Sequence, residues 1–402
     1  MYIERTLEKR ILKLTKQFKV LLVTGARQVG KSTLLKHCDK NRNYVTLDDY
    51  KIREMAINEP ELFLQRYKAP LIIDEIQYAP NLLAYIKIAV DNSDEKGQYW
   101  LTGSQQFHMM KNVTESLAGR VAIIDLKGFS LKEIDNNNQL TFLPTDKFIE
   151  EMRNNSKNHD LSDIYEKIWK GSYPELNINN DLDWETFYKS YLQTYIERDI
   201  KDLNAVKNEM DFLKFLRVLA ARTGQMLNHA EISNEVSVSV PTIKSWVSIL
   251  VSSNIVYLLQ PYFSNLNKRI VKTPKLYFLD TGLCSYLTNW SNAQVLEAGA
   301  MSGAIFETFV VSEIVKSYVH NLKEPNIYYY RDKDKKEIDV IIENNGKLYP
   351  IEIKKSANPD KNMIKNFSVI PEDRIGDGAI ICLIDKDLPI SKNVNAIPIS
   401  YV

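Results

Sequence analysis

The sequence predicts an α/β protein with a parallel-sheet domain first, a helical and winged-helix segment in the middle, and a second α/β domain at the end. Three observations predict this class. An apolar run at 20–23 leads into a glycine-bounded loop, a second apolar run at 71–73 stops at two acids, and apolar and charged residues alternate at 351–354. Continuous apolar runs are typical of central parallel strands, whereas alternation is typical of strands with two unlike faces. We therefore expect two sheets with helices between them.

Breaks in composition divide the chain into four predicted segments. These are a first domain at 1–135, a helical linker region at 136–225, a winged-helix-like domain at 226–298 and a final domain at 299–402. The polar run at 135–139 marks the first boundary. A length of 402 residues agrees with two or three domains of ordinary size.

Composition and charge exclude several classes of protein. The chain is 44% hydrophobic, enough for real cores, yet no apolar run approaches the ~18 residues of a membrane span. Its net charge is +1, so any nucleic-acid surface must be local. Cys38, Cys284 and Cys382 are far apart in sequence, which predicts reduced thiols rather than disulfides or a zinc site. Since the N-terminus is unlike a signal peptide, we expect a cytoplasmic protein without a membrane partner.

The glycine-bounded loop fits the phosphate-binding pattern G-x-x-x-x-G-K-[ST] between a strand and a helix. Its glycines let backbone N–H groups face phosphate oxygens, and the following helix adds a favourable dipole. Lys31 is expected to reach the β- and γ-phosphates of ATP, and the Ser32 hydroxyl to coordinate Mg²⁺. A chance glycine loop is the alternative. The predicted cofactor-binding residues are Gly25, Ala26, Arg27, Gln28, Val29, Gly30, Lys31, Ser32 and Thr33.

The second apolar run ends in the acid pair Asp74 and Glu75. Ligands of parallel α/β sheets bind at the carboxyl ends of the strands, which is where this pair is expected. Asp74 is predicted to hold Mg²⁺, and Glu75 to polarise the water that attacks the γ-phosphate. The alternative is a surface acid pair at the end of a strand.

Two further residues are catalytic candidates in the first domain. Ser104 follows the strand-like run at 99–102 and is predicted to sense the γ-phosphate or the attacking water; an ordinary strand-end serine is the alternative. Arg120 precedes another strand and could act as an arginine finger, in cis or toward a neighbouring subunit. A structural ion pair explains Arg120 equally well, and a homo-oligomer is left open.

The order of these motifs resembles the AAA-type P-loop ATPase domain of a widespread prokaryotic family. The segments that carry the resemblance are the phosphate loop, Leu71–Gln77, Leu101–Ser104 and Leu117–Arg120. Members of this family join the ATPase domain to a C-terminal, DUF4143-type domain related to restriction endonucleases. The resemblance therefore implies Mg²⁺-dependent ATP hydrolysis and a restriction-endonuclease-like final domain. The chain departs from the usual AAA pattern because it has no clear second sensor arginine in a helical lid.

Residues 227–260 have the order of a helix-turn-helix followed by a strand. A helix is expected from Asn228, and Pro241 suits the first turn of a second helix. This is the layout of a winged helix, and it predicts nucleic acid, with DNA as the expected type, as a partner. The alternative is a winged helix that only packs against protein. The predicted groove-facing residues are Ser239, Thr242, Lys244 and Ser245, and the predicted basic wing comprises Lys268, Arg269, Lys272 and Lys275.

The final domain is predicted to place two carboxylates side by side. A strand at 337–342, a hairpin turn at 344–346 and a strand at 348–354 would set Asp339 beside Glu352. Two carboxylates can hold Mg²⁺, and Lys354 could orient or deprotonate a water. With Glu307 from the preceding helix, these residues resemble a PD-(D/E)xK nuclease core. A binding domain that only keeps the fold is the alternative.

Two functions from different classes follow. In the first, ATP hydrolysis gates DNA engagement by the winged helix and metal-dependent cleavage by the C-terminal domain. In the second, the chain is an ATP-controlled switch that binds nucleic acid or a partner, and its nuclease-like domain is non-catalytic. A small-molecule kinase is a more distant alternative, because an acid pair at the strand end and appended domains are not expected there.

Overall fold

The first sheet is entirely parallel and carries the phosphate loop at its carboxyl edge. This computed structural model describes residues 2–103, 116–137, 140–195, 208–262 and 273–402. The strands of the first sheet lie in the order β2-β3-β4-β1-β5. Their bounds are β1 Val20–Thr24, β2 Asn43–Thr46, β3 Leu71–Asp74, β4 Tyr99–Gly103 and β5 Val121–Asp125. Helices α1 Leu7–Thr15, α2 Lys31–Cys38, α3 Tyr50–Asn58, α4 Pro60–Arg66 and α5 Leu82–Asp91 cover it.

Both faces of this sheet are buried, as the continuous apolar runs predicted. Along β1, Leu21 and Val23 pack into one core, whereas Val20 and Leu22 pack into another on the opposite face. Successive side chains of a strand point to opposite faces, so both sets need an apolar environment. The first domain is therefore a P-loop NTPase-like α/β domain with its ligand edge at the carboxyl ends of the strands.

The middle of the chain is helical and packs against the first domain. Its helices are α6 Leu131–Ile134, α7 Asp146–Asn155, α8 Leu161–Lys170, α9 Pro174–Ile178, α10 Trp184–Tyr195 and α11 Glu209–Ala220. Buried aromatic side chains of α10, including Tyr188 and Tyr191, belong to the same core as Leu21 of β1. The helical middle and the first sheet therefore share one apolar core.

Two helices joined by a short turn follow, and after them a two-stranded hairpin. The helices are α12 His229–Val236 and α13 Val240–Ser252, and the hairpin strands are β6 Val256–Pro261 and β7 Lys275–Phe278. The Asn228 side chain accepts the first N–H groups of α12, and the Ser239 hydroxyl accepts from Thr242 N at the start of α13. Of the predicted wing, residues 268, 269 and 272 lie outside the described residues.

The second sheet joins this hairpin to the end of the chain. Its order is β12-β13-β11-β10-β9-β8-β6-β7, with parallel pairing of β6 and β8 between Gln260 and Tyr328. The remaining elements are α14 Thr281–Leu287, α15 Ala293–Ala298, α16 Ser302–Val319, β8 Ile327–Arg331, β9 Glu337–Asn344, β10 Lys347–Ile353, β11 Gly378–Cys382, β12 Leu388–Ser391 and β13 Val394–Pro398. The boundary predicted at 298 thus falls within a unit that shares one sheet.

The long helix α16 connects this unit to the first domain through buried polar contacts. Glu313 accepts a 2.9 Å hydrogen bond from Leu131 N, and Lys316 donates one of 2.9 Å to Phe129 O. Both α16 side chains are almost fully buried. Buried charged groups are costly unless paired, so these bonds specify how the two units meet. Among the described helices, none is long and apolar enough to cross a membrane.

Candidate functional site

The phosphate loop, residues 25–33, requires glycine at its first position. Gly25 has a φ of 145°, and a Cβ there would lie 2.1 Å from Leu126 O. Gln28 and Gly30 also have positive φ values, of 60° and 90°, so the loop curls back before α2 begins. This curl between a buried strand and a helix N-terminus is the geometry that a phosphate group needs.

Lys31 lies over the loop with its ammonium group directed at main-chain oxygens. Its Nζ donates to Gly25 O at 3.1 Å and to Ala26 O at 2.8 Å, and the side chain is buried. Carbonyl oxygens satisfy the hydrogen bonds of a buried ammonium group without neutralising its charge. The cation is therefore held at the loop, where a phosphate could replace the carbonyls as its partner.

Asp74 is the centre of a hydroxyl network at the carboxyl edge of the sheet. Ser32 Oγ donates to Asp74 Oδ1 at 2.6 Å, and Tyr44 OH donates to Asp74 Oδ2 at 2.8 Å. Thr102 Oγ1, at the end of β4, donates to Asp74 Oδ1 as well. The donor set of hydroxyl and carboxylate oxygens suits a hard cation such as Mg²⁺. The predicted pair of Ser32 and Asp74 is thus brought together.

Glu75 has a left-handed backbone conformation with a φ of 58°. Its N–H donates to Thr102 Oγ1 at 3.2 Å, and its carboxylate accepts from the Gln77 amide. A non-glycine residue in this conformation is uncommon and persists only where its surroundings hold it. Thr102 therefore links the two acids, a role that the sequence had assigned to no residue. Ser104, the predicted sensor, lies outside the described residues.

Arg120 lies at the opposite edge of the sheet from the phosphate loop. It immediately precedes β5, whose first residue, Val121, pairs with Val20 at the start of β1. Its guanidinium donates to Asp91 Oδ2 at 2.9 Å and to Ala118 O at 2.9 Å. The five residues of β1 separate it from the loop by about 16 Å. A finger acting in cis is therefore excluded, whereas an ion pair or a finger toward another subunit agrees with this position.

A cavity of about 490 Å³ adjoins the phosphate loop on the side of the helical middle. Gln28, Val29 and Gly30 form one wall. The other walls are mostly apolar side chains, and Arg5 and Glu175 also line the cavity. The lining includes Tyr2, Ile3, Thr33, Phe129, Pro174, Ile178, Leu182 and Phe187. An apolar cavity beside a phosphate site has the size and character expected for a nucleotide base. No local sequence pattern predicts this cavity, because its walls are far apart along the chain.

A second constellation lies on β9 and β10 of the C-terminal sheet. Val340 pairs with Ile351, and Asp339 Oδ2 accepts a 2.9 Å hydrogen bond from Ile353 N. Lys354 Nζ lies 3.2 Å from Asp339 Oδ2 and 2.7 Å from Glu352 Oε1. The hairpin therefore brings together three of the predicted residues, with the lysine between the two carboxylates.

The environment of these groups opposes full ionisation of Glu352. Burial and the negative charge of Asp339 raise the pKa of Glu352 to about 7. Its Oε2 atom is buried without a hydrogen-bond partner among the described residues. Burial disfavours the charged form of Lys354, but Asp339 and Glu352 outweigh it and raise the pKa of Lys354. Lys354 is thus cationic here and can orient a group but not accept a proton.

The Glu307 carboxylate is bound by two residues of β7 in this structure, and its place in the metal site stays a prediction. Its Oε1 accepts from Tyr277 OH at 2.6 Å and from Lys275 Nζ at 3.3 Å. Burial and Asp339 raise the pKa of Glu307, while Lys275 lowers it. Within the described ranges, no three His, Cys, Asp or Glu side chains form a group suited to a metal ion. β7 thus binds the Glu307 carboxylate within electrostatic reach of the other two acids.

Lys275 is also not the exposed wing cation that the sequence predicted. It is 4% exposed and lies 2.5 Å from Glu337 Oε1 as well as near Glu307. Lys244 and Ser245 of the second helix are exposed as predicted, whereas Ser239 and Thr242 hydrogen-bond to each other in the helix cap. The described residues therefore place few positive charges on the predicted recognition surface.

Family models match three successive stretches of the chain. Residues 17–135 match the family described as an AAA domain, residues 161–294 match a domain of unknown function, DUF8612, and residues 302–402 match another, DUF4143. Uncharacterized proteins of Mycobacterium tuberculosis and Mycobacterium bovis are each 26% identical over 387 residues, covering 95% of this chain and 80% of theirs.

Two solved structures are similar over part of the chain. The Walker-type ATPase of Pyrococcus abyssi has a TM-score of 0.45 at 17% identity, covering 71% of this chain and 96% of its own. AMPPCP-bound DnaA of Aquifex aeolicus has a TM-score of 0.25 at 15% identity, covering 61% of this chain and 85% of its own. The P-loop NTPase-like fold and the phosphate-loop geometry described above agree with the match of residues 17–135 to an AAA domain.

Proposed function

We propose that the chain binds ATP with Mg²⁺ in the cytoplasm and hydrolyses it at the phosphate loop. One observation carries this proposal: Ser32, Asp74, Thr102 and Glu75 form a continuous hydrogen-bonded chain beside the loop. Such a chain fixes a cation ligand and a candidate base relative to each other before any ligand arrives. Preorganised groups of this kind stabilise developing charge without having to reorganise during the reaction.

Each group has a distinct proposed task. Loop N–H groups and the N-terminus of α2 bind the phosphates, and Lys31 binds the β- and γ-phosphates. Ser32 and Asp74 hold Mg²⁺, which neutralises charge on the phosphates when bound. Glu75 accepts a proton from the attacking water. The apolar cavity lined by Tyr2, Pro174 and Phe187 takes the base.

Release of phosphate from ATP by the purified chain, without an added acceptor, tests this proposal. We expect Mg²⁺-dependent turnover in the wild type and none in a Lys31→Ala variant. Turnover that appears only with an added small-molecule acceptor would identify a kinase instead. Tight binding of ATP with no turnover under any condition would leave a nucleotide-controlled switch.

A second activity, metal-dependent cleavage of phosphodiesters, is proposed for the C-terminal sheet. It is favoured by the buried, unpartnered Oε2 of Glu352, which lies beside Asp339 in a site that Lys354 now neutralises. Carboxylate oxygens with free lone pairs suit Mg²⁺ or Mn²⁺, and a positioned lysine suits an attacking water or a phosphate. The alternative is a non-catalytic clamp in which the ammonium group of Lys354 occupies the position of the metal ion.

Nucleic acid, with DNA as the expected type, is the proposed partner of this site. A groove of about 730 Å³ lies between the start of α12 and β7, and its lining includes His229, Lys275, Arg331 and Glu337. Because Lys275 also contacts Glu307, the groove adjoins the carboxylates. The mixed charge of its lining favours local contacts to phosphates rather than a broad electrostatic surface.

Incubation of single-stranded, duplex and branched DNA with Mg²⁺ or Mn²⁺, with and without ATP, separates these two readings. Cleavage that disappears in Lys354→Ala supports the nuclease. Binding without cleavage under every condition supports the clamp. A Lys347→Ala variant provides a control, because Lys347 lies on the same strand but contacts Asp373 O at the opposite end.

A further inference from the structure

We infer that Asp280 is a positioning residue that ties the wall of the nucleotide cavity to the hairpin strand holding Glu307. Nucleotide binding and the C-terminal carboxylates are thereby linked through one buried side chain. This inference rests on the proposed nucleotide site and adds a means by which that site regulates the second one.

Asp280 lies just after β7 and gathers donors from three parts of the chain. Its Oδ2 accepts from Ser172 N at 2.6 Å and from Ser172 Oγ at 2.8 Å. Its Oδ1 accepts from Tyr188 OH at 2.7 Å and from Leu283 N at 2.6 Å. The carboxylate is buried, so these four bonds must replace its hydration. Burial and the charge of Asp280 raise the pKa of Tyr188, which therefore stays a donor.

The packing around this carboxylate leaves no room for independent movement. A Cβ on Gly171 would lie 2.2 Å from Tyr188 OH and 2.9 Å from both Asp280 oxygens. A Cβ on Gly282 would likewise lie 2.2 Å from Tyr188 OH and 2.8 Å from Gly171 Cα. Close-packed interiors transmit displacements rather than absorbing them. A shift of Ser172 must therefore move Asp280 or break its hydrogen bonds.

On one side, Ser172 belongs to the wall of the nucleotide cavity. Phe129 N donates a 2.8 Å hydrogen bond to Ser172 O, and Phe129 lines the cavity. Pro174, two residues after Ser172, also lines it, and its ring lies 3.8 Å from the position of a Cβ on Gly30. A base or ribose entering the cavity must contact these side chains and would fix the wall against the loop.

On the other side, Asp280 continues directly from the strand that holds Glu307. Tyr277 OH and Lys275 Nζ of β7 bind the Glu307 carboxylate, as described above. Ser312 of α16 donates a 2.7 Å hydrogen bond to Leu279 O, so the helix that carries Glu307 is attached at the same point. Both the backbone and the carboxylate of Glu307 are thus held by residues adjoining Asp280.

A linkage of this kind is reciprocal. A ligand that orders the cavity wall also orders β7, and a ligand that orders β7 also orders the cavity wall. In the present arrangement Tyr277 and Lys275 of β7 bind the Glu307 carboxylate, which lies within electrostatic reach of Asp339 and Glu352. Nucleotide binding would therefore set how firmly β7 holds the Glu307 carboxylate next to the other two. This gives the ATPase domain control over the C-terminal site without a hinge between them.

Hydrogen–deuterium exchange of the full chain, with and without ADP and Mg²⁺, tests the inference. We expect ADP to slow exchange both at 171–174 and at 275–278 in the wild type. The side chain of Asp280→Asn can still cap α14, so this variant should still bind ADP. Its ADP-dependent slowing of exchange at 275–278 should be less than half of that in the wild type. Affinity for ADP should weaken by about 5-fold, the low end of measured couplings.

Two further variants keep the test decisive if Asp280→Asn folds poorly. Tyr188→Phe removes one donor to Asp280 and should reduce the transmitted protection in the same direction. Asp183→Asn alters another helix-capping acid, which binds Thr186 N at the exposed start of α10, and should leave transmission unchanged. A purely structural role for Asp280 would lower thermal stability but leave the ADP-dependent difference at 275–278 intact.

Two outcomes would overturn the inference. One is a wild type that binds ADP without any change of exchange at 275–278. The other is an ADP-dependent slowing of exchange at 275–278 that is as large in both Asp280→Asn and Tyr188→Phe as in the wild type. A wild type that does not bind ADP at all would contradict the proposed nucleotide site itself, and the inference with it.

Discussion

Ser32 Oγ donates a 2.6 Å hydrogen bond to Asp74 Oδ1, which joins the phosphate loop to β3 at the carboxyl edge of the sheet. With Tyr44 on the other oxygen, the Asp74 carboxylate is oriented from both sides before ligands bind. A carboxylate held in this way needs little reorganisation to support a hydrated cation. The nucleotide site can therefore be tested residue by residue.

Glu75→Gln should bind ATP as the wild type does but hydrolyse it about 100-fold or more slowly, because the amide cannot accept the proton of the attacking water. Single-turnover assays with labelled ATP measure this step apart from product release. The amide can still form the contact with Gln77, so the backbone of Glu75 should keep its conformation. Hydrolysis at the wild-type rate would show that another group is the base.

Thr102→Val should lower turnover by about 10-fold, with a smaller effect on nucleotide affinity, because it removes the hydroxyl that links Asp74 to Glu75. The methyl group of valine conserves volume inside the buried strand. Thr46→Val is a matched control, since Thr46 pairs with Asp74 from the other neighbouring strand. An equal loss in both variants would indicate a general effect on the sheet edge.

Arg120→Ala should leave the affinity for ADP within about 2-fold of the wild type, since a cation about 16 Å from the loop is largely screened. The thermal midpoint should also change little, because the ion pair with Asp91 is exposed. Turnover is then measured over a range of protein concentrations. A loss of turnover that is seen only at high protein concentration would identify an arginine finger acting on a second copy of the chain. A 10-fold loss of ADP affinity would contradict the position of Arg120 described above.

His320 should make the fold acid-sensitive. Burial lowers the pKa of His320 to about 3, and both ring nitrogens lack a hydrogen-bond partner in the described structure. The unfolded chain therefore binds a proton between about pH 6.5 and pH 3 that the folded chain does not, so stability falls as pH falls through this window. From pH 7.5 to 5.5 this should cost about 1 kcal/mol.

Urea unfolding of the wild type and of His320→Gln at these two pH values checks this expectation. The variant has no imidazole to protonate, so it should lose about 1 kcal/mol less than the wild type over the same interval. Equal losses in the wild type and His320→Gln would mean that His320 is protonated in the folded chain.

Local patterns were sufficient to predict the phosphate loop and the Asp339–Glu352 hairpin. The residues of the loop are contiguous in sequence, and its glycines predict the positive φ values that Gly25 and Gly30 adopt. In the hairpin, Asn345 and Gly346 both adopt positive φ, which fixes the register that sets the two acids side by side. In both cases all the determining residues lie within about 20 positions of one another.

Contacts between distant segments could not be predicted in the same way. The partners of Glu307 are on β7, 30 and 32 positions earlier, and the parallel pairing of β6 with β8 depends on a register that no local turn sets. For this reason the prediction of Lys275 as a surface cation was wrong. Thr102 had a signal that could have been used, because it is the last polar residue before the glycine that ends β4.

Calorimetric titration of the purified chain with ADP and with ATP, in the presence of Mg²⁺, tests the central claim most directly. We predict one site per chain in the wild type, and binding weakened by about 10- to 100-fold in Lys31→Ala, which loses a charged contact to the phosphates. Lys40→Ala, at an exposed lysine two residues beyond the end of α2, should bind as the wild type does. A folded wild type that takes up neither nucleotide would contradict the claim.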